Sequence, residues 1–389
     1  MRSFPAWLFG AALIAVCQPS LAQGVAENSD AAIVLAAASS HRAKVERYIR
    51  ARHAYEQEAA AYWRMIADKR RARLAKRRNN EPVGLDDYVL AQPPVYRGPP
   101  RPPGYIPPRR DPTRPRLQIP VVADFLKAAA EQFRFLPDRP KSEADFKQAY
   151  AKVATAAGLT KDQAVRIYAF ETGGNGTYDI QAGLTTRRKG ARAISPALGY
   201  NQLLSTNTVG LLAEHGDKFL NTLEQSREQA TEHRRRALRN KIAALRRMIA
   251  FSRTVPNAWG EHDRLAKTTQ GGIGIHAAVL DRDIGPLLQT QKLLDSVLFA
   301  RMKGHSEALS AVELELMNFT GDGNGFDMVL MPQQLREQVP TANFFQRGGY
   351  ERNPIAGRTG TVAALYAAIE AKMDRASQAQ GARELAEAF

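Results

Sequence analysis

The chain has 389 residues, of which 44% are apolar and 24% charged, so its composition is that of a globular protein and excludes a wholly disordered one. It carries 55 Lys and Arg against 39 Asp and Glu, and this formal net charge of +16 predicts an anionic partner or environment. A single cysteine excludes a disulfide framework and a cysteine-ligated zinc site.

The N-terminus has the features of a secretory signal peptide over residues 1–22. An apolar run at 6–16 is too short, at about 1.5 Å per residue, to cross a bilayer of roughly 30 Å. Ser20 and Ala22 are small residues at the spacing that a signal peptidase recognises, and Cys17 lies within the segment. We therefore predict export to the periplasm or cell wall. Export favours cell-wall polymers and anionic lipids as partners and argues against nucleic acid.

A basic N-terminal helix is predicted over residues 23–80. Residues 41–80 hold 13 Lys and Arg against 4 Asp and Glu. Apolar and aromatic side chains recur there at near-heptad spacing. They are Val45, Tyr48, Tyr55, Ala59, Tyr62 and Ile66. Two interpretations remain open, a coiled coil and an amphipathic helix that packs on its own domain.

A proline-rich basic linker is predicted over residues 81–120. Eleven of the 22 prolines lie within 93–120, together with six arginines and one aspartate. Proline lacks a backbone donor and has a fixed φ, so an extended, semi-rigid spacer is expected. A docking site for a proline-recognising domain is the alternative interpretation.

Residues 121–375 are predicted to form a mainly α-helical domain, followed by a C-terminal tail at 376–389. Strand-like alternation is nearly absent, whereas helical patterning recurs along this region. The helical segments are 121–135, 143–157, 161–171, 209–223, 228–253, 286–300, 307–318 and 361–375. Thr160 and Gln163 form a capping-box pattern at the start of the third segment.

A basic helical insertion is predicted at about 224–260. Residues 226–253 hold nine Lys and Arg and two Glu, with apolar residues spaced along one helix face. These apolar residues are Leu238, Ile242, Leu245 and Ile249. One interpretation packs the stripe on the domain and leaves a solvated basic face, and the other lays the helix on an anionic membrane surface.

Glu171 is the candidate catalytic residue. It ends an apolar helix and is followed, after Thr172, by the helix-stopping pair Gly173-Gly174. Apolar neighbours and the negative end of the helix dipole both disfavour an ionised carboxyl, so we expect the pKa of Glu171 to be raised. A carboxyl that is protonated near neutral pH suits a general acid for glycosidic-bond cleavage.

Three segments, taken in order, resemble motifs of the lytic transglycosylase branch of the lysozyme-like superfamily. Glu171-Thr172 resembles the helix-terminal Glu followed by Ser or Thr. A second element resembles the family's Ser…Gly-Leu-Met-Gln and a third its Ala-Tyr-Asn-x-Gly-x-Gly. The second consists of Ser195, Gly199 and Gln202, and the third of Asn318, Gly321 and Gly323. The resemblance lies in scattered motifs between about residues 140 and 335.

The resemblance implies a lysozyme-like helical domain that cleaves peptidoglycan with a single carboxyl. Glu171 would protonate the oxygen between N-acetylmuramic acid and N-acetylglucosamine and then take a proton from the sugar's 6-hydroxyl, which closes an anhydro ring. Gln202 and Asn318, together with Tyr200, would contact the sugar. Ser195 would support the Glu171 carboxyl through a hydrogen bond.

The sequence departs from the family pattern in ways that leave alternatives open. Met317 replaces the tyrosine of the third motif, and the segment between Glu171 and Ser195, with a basic turn at 187–189, is longer than is typical. Asp179 in this segment is a candidate second carboxylate, or else a solvated loop residue. The alternative function is a non-catalytic peptidoglycan- or envelope-binding protein with a lysozyme-like fold.

No cofactor or metal is expected. The histidines after the linker lack the paired spacing of a zinc site. They are His215, His233, His262, His276 and His305. The segment 322–327 resembles the start of a calcium loop, but Gln333 stands where a bidentate Glu is required, so we interpret the segment as a glycine-rich turn.

Overall fold

A computed structural model describes residues 23–107, 118–184 and 192–389, with side chains from residue 38 onward. The expected α class is confirmed, because 69% of the chain is helical and the described residues contain no strand. The signal-peptide prediction at 1–22, with Cys17, and the basic turn at 187–189 lie outside these residues. Within them, no helix combines the length and apolar character that crossing a membrane requires.

The helices are more numerous than the sequence patterns predict. In chain order they are α1 Gln23–Arg78, α2 Val122–Phe133, α3 Glu143–Ala156, α4 Lys161–Thr172, α5 Ser205–Glu228, α6 Glu232–Ser252, α7 Trp259–Thr268, α8 Gln270–Ile275, α9 Ile284–Met302, α10 Ala311–Thr320, α11 Asp322–Val329, α12 Gln333–Gln338, α13 Arg347–Arg352, α14 Pro354–Thr359, α15 Val362–Ser377 and α16 Gln380–Ala388. Short 3-10 turns lie at Leu85–Asp87, His276–Leu280 and Thr341–Phe344. Each of the eight predicted segments after residue 120 overlaps one of these helices.

Local capping explains where the two site-bearing helices begin. The predicted capping box of α4 is present, since Thr160 Oγ1 accepts a hydrogen bond from the Gln163 backbone N–H and the Gln163 side chain accepts one from Thr160 N. Ser310 and Glu313 make the same reciprocal pair at the start of α10. These bonds satisfy N–H groups that a helix start would otherwise leave unpaired.

The chain divides into two compact units, and the division falls inside α1. Of the described residues, one unit comprises 23–62 and 93–107, and the other comprises 63–92, 118–184 and 192–389. The second unit contains the described part of the predicted helical domain and also the C-terminal part of α1. The predicted boundaries at 80 and 120 therefore differ from the observed division.

In the first unit, the proline-rich segment packs against α1 through aromatic side chains. The Tyr96 ring lies edge-on to Tyr55, with centroids 5.6 Å apart, and the Tyr105 ring lies 5.6 Å from Tyr48. The Arg52 guanidinium stands 4.7 Å from the centre of the Tyr96 ring. This part of the segment therefore packs against α1, whereas its composition alone predicts an extended, semi-rigid spacer.

In the second unit, the end of α1 is anchored by buried arginines. Arg73 is 0% exposed and donates hydrogen bonds to the backbone oxygens of Asp87 and Asn343, 2.9 and 3.1 Å away. Arg77 forms an ion pair with the largely buried Asp327 at 2.9 Å. The last turns of α1 are thus part of the helical body, which corrects the prediction of a separate basic helix up to residue 80.

The core of this unit includes two clusters of buried apolar residues. One includes residues of α2, α5, α6 and α8, and the other residues of α3, α4 and α16. The apolar stripe of α6 is buried in the first cluster. Its members are Leu238, Ile242, Leu245 and Ile249. The stripe is therefore occupied by the protein's own core, as the packed interpretation expects.

Two segments differ from the sequence prediction. Residues 376–389 are not a tail, because α16 buries Ala382 and Leu385, and Glu384 pairs with Lys147 of α3 at 2.6 Å. Residues 322–327 are not a turn, because they begin the helix α11. In both cases short helices depend on packing for their stability, which a weak local pattern does not reveal.

Candidate functional site

An open cleft of about 870 Å³ in the second unit brings together four of the six residues predicted from the sequence. These are Glu171, Ser195, Gln202 and Asn318. Its walls come from α5, α7, α9 and α10, from the end of α4, from the start of α11 and from the loop before α5. A cleft of this size is typical of a ligand-binding site.

The end of α4 places Glu171 at the cleft wall. Gly173 follows the helix with φ 70°, a left-handed conformation that ends α4 and that glycine adopts without strain. Gly174 continues with φ 78°, and a Cβ there would lie 2.1 Å from the backbone oxygen of Ala376 in α15. The glycine pair thus both stops α4 and lets α15 approach it closely, leaving the Glu171 carboxyl half-buried.

Asn318 is the direct partner of Glu171. Its Nδ2 donates to Glu171 Oε1 at 2.9 Å, across the contact between α10 and α4. Met317, which precedes it at the position of the missing tyrosine, is buried in the core and does not line the cleft. The bond orients the carboxyl and explains why these two residues, distant in sequence, form one site.

Glu315 is a second carboxyl at this site, which the sequence analysis missed. It lies one helical turn before Asn318, so both side chains share a face of α10. It is 0% exposed, its carboxyl interacts electrostatically with that of Glu171, and neither of its oxygens has a hydrogen-bond donor among the described residues. A sequence signal existed: a glutamate within the otherwise apolar face of α10.

The two carboxyls have unusual acidities. Burial raises the pKa of Glu171 from 4.5 to about 7, against the opposing effects of hydrogen bonds from Glu315 and Asn318 and of the Lys372 charge. Burial, followed by the nearby Glu171 charge, raises the pKa of Glu315 well above 4.5. Burial therefore disfavours the ionised form of both carboxyls.

The positive charge of Lys372, in α15, acts on both Glu171 and Glu315. Its ammonium lies 3.6 Å from the centre of the Phe170 ring, and its charge favours the ionised forms of both carboxyls. Burial lowers the pKa of Lys372, and the carboxyls oppose this change. This contact could not be predicted from the sequence, because it depends on how α15 packs against α4.

Gln202 and Ser195 reach the cleft from the loop before α5, but they use part of their hydrogen-bonding capacity within it. Gln202 has φ 44°, and its Nε2 donates to the backbone oxygens of Gly199 at 2.8 Å and Ile180 at 3.3 Å. Ser195 Oγ accepts from Ala197 N at 3.1 Å. The expected bond from Ser195 to the Glu171 carboxyl is not among the hydrogen bonds of the described residues.

The structure does not bring Tyr200 and Asp179 to the cleft. Tyr200 is 0% exposed, and its hydroxyl donates to the carboxyl of Glu143, so the side chain belongs to the core. Asp179 forms an ion pair with Arg139 and accepts a hydrogen bond from Thr177 Oγ1 at 2.8 Å. Neither is placed to contact a ligand there, and the carboxyl beside Glu171 is Glu315 instead of Asp179.

A buried histidine supports the Ser195 loop. His276 lies 2.9 Å through Nε2 from the backbone oxygen of Pro196 and 2.8 Å through Nδ1 from Thr208 Oγ1. Because a carbonyl only accepts, Nε2 carries the proton and Nδ1 accepts from the threonine hydroxyl. Burial lowers the pKa of His276 to about 4, which keeps this tautomer neutral.

Other cleft residues were also absent from the sequence prediction. Trp259, at the start of α7, lies at the cleft with 58% of its surface exposed, and an exposed tryptophan offers a flat apolar face to a ligand. Glu214, Lys292, Asp295 and Asp322 contribute charges of both signs. Asp322 lies in the segment that resembles a calcium loop, whereas Glu214, Lys292 and Asp295 stand in no recognisable motif, so only the fold identifies these three.

Among the residues that the structure describes, no group of three or more His, Cys, Asp or Glu side chains could hold a metal ion. Comparisons of the chain with protein-family models, with curated protein sequences and with solved structures found no match.

Proposed function

We propose that the protein is an exported lytic transglycosylase with a lysozyme-like helical domain, which cleaves peptidoglycan between N-acetylmuramic acid and N-acetylglucosamine. The observation that carries the proposal is the state of Glu171: a carboxyl in the wall of an open cleft, oriented by Asn318, with its pKa raised by burial to about 7. Such a carboxyl is protonated in a large fraction of molecules at neutral pH, as a general acid must be.

In the proposed mechanism Glu171 first gives its proton to the glycosidic oxygen. An oxocarbenium-like centre forms, assisted by the substrate's acetamido group, so that no second carboxylate is needed as a nucleophile. The ionised Glu171 then accepts the proton of the 6-hydroxyl, whose oxygen bonds to the anomeric carbon. The enzyme regains its starting protonation state, and water is not consumed.

The cleft offers further groups to such a substrate. The Trp259 face is suited to the apolar side of a sugar ring, and the side-chain oxygen of Gln202 is not needed for the loop bonds made by its Nε2. Amide groups of this kind fix the orientation of hydroxyl-rich ligands. Under this proposal they hold the glycan so that its scissile bond faces Glu171.

The test is the substitution Glu171→Gln, which preserves shape but cannot deliver a proton. We expect at least a thousandfold less anhydro-muropeptide from purified sacculi, measured by mass spectrometry, with sacculus binding retained. Glu214→Gln is the matched control, because Glu214 lines the same cleft and its side chain is 58% exposed. Undiminished anhydro products from Glu171→Gln would refute the proposal. Sacculus binding by the wild type without any soluble product would favour the non-catalytic binding protein.

A further inference from the structure

The one-carboxyl mechanism leaves Glu315 without a role, although its position is costly. An acidic side chain that is 0% exposed loses its hydration, and neither carboxyl oxygen has an ordinary hydrogen-bond donor among the described residues. A leucine or methionine would fit an apolar helix face at lower cost. This unpaired buried acid therefore calls for a functional explanation.

The neighbourhood of Glu315 points toward Glu171. Asn318 donates to Glu171 at 2.9 Å, and Glu315 lies one turn earlier on α10, so the helix face that carries Glu315 is the face that contacts Glu171. Two carboxyls at hydrogen-bonding range cannot both be ionised without strong repulsion, and a proton on one of them turns the repulsion into a hydrogen bond. Glu315 is the more buried of the two and does not line the cleft.

The charged groups around Glu171 are few. The helices packed against α4 are α3, α10, α15 and α16. From α10 and α15, Glu315 and Lys372 act on Glu171, whereas Glu143 of α3 and Glu384 of α16 act on Tyr168, one turn earlier in α4. The remaining charged groups are those facing the cleft, Glu214, Lys292, Asp295, Asp322 and, when protonated, His262.

We propose that Glu315 is a positioning residue that stays protonated and donates its O–H to Glu171, stabilising the carboxylate that remains after Glu171 has given up its proton. The catalytic part of this inference rests on the proposed function, whereas the hydrogen bond between the two side chains does not. Glu315 touches neither substrate nor solvent in this arrangement and acts only through Glu171.

The proton count is unchanged by this role. Glu171 loses its proton to the leaving oxygen and regains one from the 6-hydroxyl, while the Glu315 proton stays on Glu315 throughout. In the ionised state Glu171 accepts from both Glu315 and Asn318, and such charge-assisted bonds are stronger than those to the neutral acid. The pair therefore lowers the free energy of the intermediate state relative to the starting state.

The experiment compares Glu315→Gln with Glu315→Leu. A glutamine amide can still donate to Glu171, whereas leucine cannot. We measure the pKa of Glu171 by carboxyl 13C NMR of the labelled full chain, with its signal assigned by Glu171→Gln. We expect the pKa of Glu171 to change by less than half a unit in Glu315→Gln and to rise by at least one unit in Glu315→Leu. Glu370→Gln, an exposed site on α15, is the control and leaves the titration unchanged.

The pH profile of kcat/KM supplies the second readout. In Glu315→Leu, the alkaline limb of the profile, where Glu171 loses its proton, should move to higher pH together with the pKa of Glu171. We expect kcat to fall at least a hundredfold in Glu315→Leu and less than tenfold in Glu315→Gln. Equal pKa shifts in the two variants, or none in Glu315→Leu, would overturn the inference. If Glu315→Leu does not fold, the wild-type titration decides: a Glu315 signal that ionises below pH 6 is incompatible with the proposal.

These readouts separate the two proposals. A chain with no activity toward sacculi but the expected NMR titrations would retain the hydrogen-bonded pair and refute the lytic activity. An active chain in which Glu315→Gln is as impaired as Glu315→Leu would retain the activity and refute the donor role.

Discussion

Burial of the Glu171 carboxyl affects both its reactivity and the stability of the protein. It keeps the carboxyl protonated, as the proposed reaction requires, and it lowers the free energy of unfolding when the carboxyl ionises. Its pKa is about 7 in the folded chain and about 4.5 when exposed, so the folded state binds more protons between these values. The contribution of the protonated carboxyl to the free energy of unfolding is complete below pH 4.5 and is lost as the pH rises through 7. The shift corresponds to at most about 3 kcal/mol.

We therefore predict a pH-dependent difference in stability between the wild type and Glu171→Gln. The glutamine does not ionise, so the variant should gain stability relative to the wild type as the pH rises from 4.5 to 8, by up to about 3 kcal/mol. Urea unfolding at a series of pH values measures this difference. Parallel stability curves for the two proteins would show that Glu171 ionises normally.

His276 is a second single residue on which the site depends, because its hydrogen bonds hold the loop that carries Ser195 into the cleft. Replacement by Phe removes the bonds to Pro196 O and Thr208 Oγ1, which leaves the half-buried Pro196 oxygen without this donor and Thr208 with only its longer bond to Leu204 O, at an expected cost of about 1–3 kcal/mol. Thermal or urea unfolding checks the magnitude. His305→Phe, on a side chain outside the cleft lining, is the control, and an equal loss there would contradict a specific role for His276.

At the scale of elements, the contact between α10 and α11 holds Glu315 and Asn318 in place. Gly325 of α11 lies against the α10 backbone, where a Cβ would stand 2.3 Å from the Met317 Cα. Backbone cannot yield as a flexible side chain does, so the two helices would have to separate. Gly325 thus constrains the positions of Glu315 and Asn318, although it does not itself contact a ligand.

Gly325→Ala should therefore destabilise the protein by about 1–3 kcal/mol or more and impair the site. Gly323→Ala in the same helix is a matched control, because its Cβ would meet nothing within 4 Å, and we expect it to be neutral or stabilising by up to about 1 kcal/mol. Calorimetric melting and the Glu171 titration measure both effects. Similar behaviour of the two variants would contradict the packing argument.

The sequence predicts those elements whose signals are local. The capping box of α4, its closing glycine pair and the apolar period of α6 are each contained in a few neighbouring residues, and the structure has the corresponding helices. By contrast, α16 depends on distant partners in α3 and α4. Glu315 escaped notice for the same reason: a glutamate in a helix is usually exposed, and only packing determines that this one is buried.

At the scale of the whole molecule, the excess positive charge is divided between internal and surface roles. Arg70 and Arg73 hold backbone oxygens of the second unit, and Lys241 pairs with the buried Asp281 at 2.9 Å. These cations are unavailable to an anionic partner. The arginines of α6 that face solvent remain available, whereas the apolar stripe of α6 is covered by the core.

This division predicts an attraction to anionic surfaces that is electrostatic and not driven by insertion of α6. Binding of the chain from residue 23 onward to vesicles containing phosphatidylglycerol should be lost on raising the salt concentration, since the screening length falls from about 10 Å at 0.1 M to about 3 Å at 1 M. Vesicle co-sedimentation measures it. Binding that persists at 1 M salt would instead require apolar insertion.

The contribution of α6 follows from removing its exposed charge without touching its buried face. Replacing Arg235, Arg236 and Arg239 by Gln should weaken vesicle binding severalfold at low salt and leave the melting temperature nearly unchanged, because all three are exposed. A control with the same loss of charge uses exposed arginines elsewhere in the unit. These are Arg301, Arg352 and Arg375. Equal weakening by both sets would mean that net charge, and not the α6 surface, determines the attraction.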